Sequence, residues 1–426
     1  MGKLNLLKKI YIGILLVIFG GIVLHAPLSV GFGTLFPKYD LLIKSWKEIL
    51  MLIAGVIALF LLYKNKQFKI LRDPIMLAVI AYAVLHLAMI AFFRNNLNSV
   101  LAGLAIDLRY ILFFGLVYVA LHLYPEYRKI FIKVGIAGAL IVLVFAILQV
   151  FVLPHDILKY IGYNVNTISP YLTVDQNHDF VRINSTLRGP NPLGAYAGIV
   201  LTLVISYIAN RKIVKNKQNL VMCAVLLVGG AVALWFSYSR SALIGTVIAV
   251  IVVLAFTVLK KISTKMWIII GLVLTAGVTV ILMTINTSFV SNVLLHENPT
   301  EGNSINSNEG HINSLNDGLR QLISQPLGAG IGSTGSASLY GNQPEIIENQ
   351  YLFTAHESGW LGLIYFICIF GLILNRLWKK RKNWLALGVF ASGIGLALIG
   401  LLLPVWVDDT VAIIWWGLAA MIINSD

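Results

Sequence analysis

Apolar runs of about 18 or more residues recur along the whole of this 426-residue chain, and each can cross about 30 Å of hydrocarbon. Inside lipid a backbone must satisfy its own hydrogen bonds, so such runs are helices. The expected fold class is therefore an all-α polytopic membrane protein. Composition agrees: 58% of residues are apolar and 12% charged, with mean hydropathy +0.85, against about 25% charged in soluble domains. The first run, roughly residues 10 to 29, follows Lys3, Lys8 and Lys9. It lacks a small-x-small cleavage site and reads as a retained helix. Cys223 and Cys368 both lie in apolar segments and read as packing residues, not as a disulfide framework or zinc site.

The pattern predicts about twelve spans, near 10–29, 47–63, 74–93, 98–122, 130–152, 190–209, 219–236, 241–259, 266–285, 351–374, 384–403 and 409–423. Positive charge then alternates between the connections. Of 32 Lys and Arg residues, 22 fall in short segments on one side, including Lys64–Arg72, Arg128–Lys133, Arg211–Lys217, Lys260–Lys265 and Arg376–Lys382. Lys and Arg excess marks cytoplasmic loops, so both termini are expected in the cytoplasm. The net charge of +14 is then mostly topological, and nucleic-acid binding is not expected.

The chain reads as one membrane domain, 1–426, with two long external connections, 153–189 and 286–350. Loops beyond about 12 to 15 residues are usually functional or disordered, and aromatic and apolar anchors here argue against plain linkers. In the second loop, Ile312, Leu315, Leu319 and Leu322 share one helical face, which predicts a short amphipathic helix on the membrane. The following Pro326-Leu-Gly-Ala-Gly-Ile-Gly332 run lacks the strand-then-helix setting of a dinucleotide fingerprint and the GK[ST] of a P-loop. It reads as backbone packing.

Three clusters can carry chemistry. Arg182 and Arg188 precede Gly-Pro-Asn191-Pro at a helix start, where guanidiniums and helix amides either offer forked donors to a phosphate or serve as interfacial anchors. Ser237-Tyr-Ser239-Arg240-Ser241 forms a hydroxyl-rich hinge whose charge points into a polar cavity or snorkels to water. Deeper in the fourth segment, Asp107 and Arg109 face protein, in a structural pair or toward a substrate channel. The last cluster is Glu348-Asn349-Gln-Tyr351, where the second loop re-enters the membrane. There a partly dry carboxylate is either a base or an acidic loop end. His356 and Glu357 form a further polar site in the same helix, and His311 in the outer loop is a reserve candidate for substrate binding. No HExxH or DxD is present, and neither a metal nor a cofactor is expected.

Taken in order, Arg182-x5-Arg188-x-Pro-Asn191, the Ser239-Arg240 hinge, the Gln325–Gly332 run and Asn349-x9-Gly-x-x-Gly362 resemble the O-antigen ligase and Wzy-type polysaccharide polymerase superfamily. The resemblance covers about residues 180–362 and rests on motif order rather than on any single motif. It implies a GT-C-like membrane architecture with a large extracytoplasmic loop and metal-independent, inverting glycosyl transfer from undecaprenyl pyrophosphate at the outer face of the bacterial cytoplasmic membrane. It also implies a lipid-linked donor and acceptor, membrane lipid, and a flippase and chain-length regulator as partners. Carried over by residue, Arg182 and Arg240 bind the donor pyrophosphate with Arg188. Arg109, Asn349, Tyr351 and His311 join the substrate site, and Glu348 is the catalytic group. In the ligase branch the residue before this Asn is an essential His; here it is Glu348, which tilts the reading toward a polymerase. A ligase remains the alternative. A transporter or flippase is a third reading, and the lack of an internal repeat argues against it.

Overall fold

A computed structural model describes residues 2–174, 177–210, 217–258, 307–341 and 344–424. Its helices, in chain order, are α1 Gly2–Gly21, α2 His25–Leu35, α3 Asp40–Lys44, α4 Trp46–Lys64, α5 Pro74–Phe92, α6 Leu97–Leu123 and α7 Arg128–Phe151. They continue with α8 Pro190–Asn210, α9 Lys217–Phe236, α10 Arg240–Thr257, α11 Ser307–Ser324, α12 Gly335–Ser338, α13 Gln350–Lys379, α14 Trp384–Ile399 and α15 Asp409–Ile423. Among the described residues nine helical segments are long and apolar enough to cross a membrane, and α14 and α15 are shorter apolar helices. The chain is thus a multi-pass membrane protein. The expected span at 266–285 lies outside the described residues, so the count of twelve is not reached among them.

Local chemistry explains where these helices begin. Asp73 accepts from the Ile75 amide, with Pro74 in the first turn, and Asn96, Asn349, Asn383 and Asp408 each accept from an amide of the helix they precede. The expected first helix is broken by a 3-10 turn, Ile22–Leu24, before α2. The all-α expectation also misses a two-stranded antiparallel hairpin, β1 Leu172–Val174 with β2 Asn177–Arg182, in which Leu172 pairs Arg182 and Thr173 pairs Val181. Phe180, Val181 and Ile183 lie too near polar neighbours for a helical stripe, and β-branched residues suit a strand.

Small residues bring α8, α10 and α14 together. A Cβ on Gly245 would lie 2.7 Å from the Gly395 carbonyl, and one on Gly198 would meet Thr246 Oγ1. Backbones can approach this closely only without side chains between them. Trp406, Trp415 and Trp416 pack with Tyr110 and Phe370 at the centre of the bundle. Of the two cysteines expected to pack, Cys223 is buried but Cys368 is exposed, on the outward face of α13.

Each end of the bundle is tied by its own polar contacts. At the end carrying the basic loops, Arg376 donates to both Asp73 oxygens at 2.7 and 2.8 Å, Lys8 pairs with Glu126 at 2.6 Å, and Arg128 donates to the Asn424 carbonyl. The opposite end gathers the N-termini of α4, α6, α8, α10, α13 and α15 together with the hairpin.

Candidate active site at one end of the helix bundle

The two arginine motifs meet through the hairpin. Arg182, last in β2, donates from Nε to the Ser237 carbonyl at 2.9 Å and from NH2 to Asn191 Oδ1 at 2.6 Å. The Ile183 amide donates to Phe236 O at 3.1 Å, which extends the seam between hairpin and hinge. Tyr238 at the hinge adopts φ 47°, a left-handed conformation that a bulky residue keeps only when its surroundings hold it there. Gly194 in α8 has room for no side chain: a Cβ would lie 2.7 Å from Ser237 Oγ and 2.8 Å from Ala242 Cβ. Arg240 begins α10 one residue after Ser239. Arg182, Asn191 and the Ser237–Arg240 hinge are therefore one structural unit at the N-terminal ends of α8 and α10. Helix N-termini favour anions through their free amides.

A second polar group lies beside this unit, and sequence reasoning found only one of its members. Arg109 is 8% exposed; NH1 lies 3.4 Å from Asp409 Oδ2 and 3.7 Å from Glu48 Oε1, and NH2 donates to Val407 O at 2.9 Å. The same Asp409 oxygen lies 3.1 Å from Lys47 Nζ and 3.0 Å from His25 Nε2. Trp46 Nε1 donates to His25 Nδ1 at 2.9 Å, and Lys47 Nζ lies 3.2 Å from His25 Nε2. Arg109 is thus in the structural pair that was one of its two expected settings. His25, Lys47, Glu48 and Asp409 had no motif to mark them; the one available signal was Asp408-Asp409-Thr410 directly ahead of the last apolar run.

Asp408 connects this group to the exposed Arg188. Its Oδ1 caps α15 by accepting from Val411 N at 3.0 Å, while its Oδ2 is buried with no hydrogen-bond partner among the described residues. Burial, then repulsion from Asp409, pushes the Asp408 carboxyl up to about 6, and the charges of Arg188 and Arg109 oppose that rise.

Glu348 is half-buried and lies two residues before α13, next to its cap Asn349. Asn349 Oδ1 caps α13 by accepting from Tyr351 N at 2.9 Å and Leu352 N at 3.0 Å, and Asn349 Nδ2 donates to Leu401 O at 2.7 Å. Tyr351 donates to Ala397 O at 2.9 Å. Gln350 adds a backbone bond to Gly400 O and accepts from Trp406 N, both at 2.8 Å. These bonds fasten the Glu348 segment to the 400–408 loop, which leads straight to Asp408. Asn349 and Tyr351, expected at a substrate site, serve in this state to hold that junction. His311 lies in α11, and its side chain is outside the described residues.

The glycine-rich run is a backbone device, as its sequence context implied. Glu357, fully buried, accepts from the Gly332 amide and from Thr334 N at 2.8 Å. The His356 carbonyl accepts from Ala329 N at 2.7 Å. Around it, His356 Nε2 lies 3.6 Å from Glu345 Oε2, and Trp360 Nε1 donates to Leu322 O at 2.6 Å. Helix α11 covers the stretch expected to be helical and rests on α13, with Gly318 against Leu352.

Residues 222–367, about a third of the chain, match the family model described as O-Antigen ligase. The matched stretch includes the Arg240 hinge, the glycine run and Glu348, while Arg182, Arg188, Arg109 and Asp408 lie outside it. No curated protein matches the sequence. Over residues 222–367 the chain is thus similar to the O-antigen ligase family, in keeping with the O-antigen ligase and Wzy superfamily that the ordered motifs resemble.

Proposed function

We propose that this chain is a polysaccharide polymerase that moves a glycan from undecaprenyl pyrophosphate to a lipid-linked repeat unit at the outer face of the cytoplasmic membrane. The similarity to the O-antigen ligase family supports a membrane glycan enzyme of the ligase or polymerase type. The observation that carries the finer reading is the junction of Arg182, Asn191 and the Ser237–Arg240 hinge at two helix N-termini.

In the proposed reaction an acceptor hydroxyl oxygen attacks the anomeric carbon from the face opposite the leaving group. The carbon–oxygen bond to the pyrophosphate breaks, and the electron pair leaves with the phosphate oxygen. Arg182 and Arg240, with Arg188, stabilise the charge that develops there. The acceptor proton passes to Glu348, so no covalent enzyme intermediate is needed. Asn349 and Tyr351 hold the Glu348 segment in register through Leu401 and Ala397. Arg109 holds the 400–408 loop through its bond to Val407.

Purified protein incubated with a lipid-linked repeat unit tests this reading, and a ladder of lengthening products is the expected result. Transfer of a preassembled glycan to a different acceptor, without a ladder, identifies a ligase instead. Glu348, in place of the ligase branch's His, is what favours the polymerase.

A further inference from the structure

A second feature outside the arginine unit is an apolar cavity within the bundle. A partly open cavity of about 250 Å³ is lined by α1, α7, α8, α9, α14 and α15. Its wall is almost wholly apolar, with Phe19, Ala139, Ile199, Val200, Leu226 and Leu418 typical. One end is lined by Tyr207 in the last turn of α8, Asn219 in the first turn of α9 and Trp384 at the start of α14, and Tyr196 lines the other. The rings of Tyr207 and Trp384 meet edge to face with centroids 4.9 Å apart. Aromatic side chains with one polar edge mark the membrane–water boundary.

Length and charge select the occupant. The α8 residues that line the cavity run from Tyr196 to Tyr207, which at 1.5 Å per residue is about 16 Å, close to half of a ~30 Å hydrocarbon core. That is the reach of one acyl chain in one leaflet. The polar end coincides with the basic loops, where Lys217, Lys379 and Lys382 are exposed and the Arg381 guanidinium stacks 4.2 Å from the Trp378 ring centroid. Among the described residues the carboxylates of that end, Asp73 and Glu126, are already bonded to Arg376 and Lys8. The rim is therefore cationic, and an anionic headgroup complements it. A lipid seated here has its headgroup at the end of the bundle opposite Arg182 and Arg240, so it is distinct from any donor bound by those arginines.

We infer that this cavity binds one acyl chain of an anionic phospholipid, whose headgroup rests on the Lys217, Lys379 and Lys382 rim. The site joins α7 and α9 to α14 and α15 and does not depend on the glycosyl-transfer reading.

The test uses the full chain in detergent, with phosphatidylglycerol and phosphatidylcholine as probes in native mass spectrometry. A phosphatidylglycerol bearing a diazirine in mid-chain serves for crosslinking. The expected result is retention of a single phosphatidylglycerol in preference to phosphatidylcholine, with crosslinks to peptides holding Ile199 or Leu226. Ile199→Trp fills the space and should abolish both signals. Leu226→Phe provides a milder filling if the first variant loses its thermal transition. Lys379→Gln with Lys382→Gln should reduce the headgroup preference on the order of tenfold while leaving acyl-chain crosslinking in place. Crosslinks that persist in both filled variants overturn the site. Equal retention of the two phospholipids, or displacement of the probe by polyisoprenyl phosphate at lower concentration, overturns the occupant.

Discussion

Two duties fall to Arg182 under the proposed reaction. Its bonds to Ser237 and Asn191 hold the hairpin against the hinge, and in that reaction its guanidinium meets the pyrophosphate. Arg182→Ala and Arg240→Ala are each expected to abolish transfer, and the Lys variants to rescue poorly, because a point charge replaces forked donation. Product ladders, measured beside the thermal transition in detergent, separate the two duties; a normal ladder from Arg240→Ala assigns that residue to structure alone. Glu348→Gln is expected to keep donor binding and lose turnover, and Glu348→His to retain partial activity, since both groups accept a proton. Unchanged transfer in Glu348→Gln removes it as the base. Asp408 supplies a pH signature of its own. Its carboxyl is pushed from 3.8 to about 6, so the folded state holds the proton more tightly than the unfolded chain. The cost of ionising it is absent below 3.8 and complete above about 6, and stability should fall as pH rises through that window. Asp408→Asn keeps the cap to Val411 and should flatten this slope in thermal unfolding between those pH values.

At the level of elements, the glycine run and α13 depend on one another. Gly332 has φ 81°, and a Cβ there would collide with the Ser99 carbonyl in α6. Gly332→Ala is expected to destabilise the protein by about 2 kcal/mol or more, through both backbone strain and overlap. A lowered thermal midpoint checks it, whereas an unchanged midpoint means that the loop does not rest on α6. Asp409 carries a comparable load between α15, α4, α2 and α6. Removing it as Asp409→Ala leaves Lys47 and Arg109 buried beside an absent partner, a change that typically costs about 3–5 kcal/mol. Near-normal thermal stability of that variant would show that water reaches the cluster. Neither arrangement was legible from spacing. The Glu357 bonds to Gly332 and Thr334 join residues more than 20 positions apart, and Arg109 meets Asp409 across 300 positions. Periodicity reports only neighbours within a turn or two.

For the whole molecule, the alternation of basic loops predicts that both termini, Lys260 and Lys380 face the cytoplasm and that Asn303 faces outward. Positions 260 and 303 lie outside the described residues, so the prediction rests on charge alone. Single cysteines introduced at these positions, in a background lacking the exposed Cys368, are expected to react with an impermeant reagent from outside only at 303. Labelling at 260 instead inverts the topology. The helical class, most span positions and the order of the arginine, hinge and Glu348 motifs were determined by the sequence, because bilayer thickness and helical rise translate apolar run length directly into structure. Tertiary structure alone decided that Arg182 locks onto Ser237, that Arg109 is paired with Asp409, and that Asn349, next to Glu348, is bonded to the 400–408 loop. Each of those outcomes depends on which helices are neighbours, and that is set by close contacts such as Gly245 against Gly395, on which hydropathy carries no information.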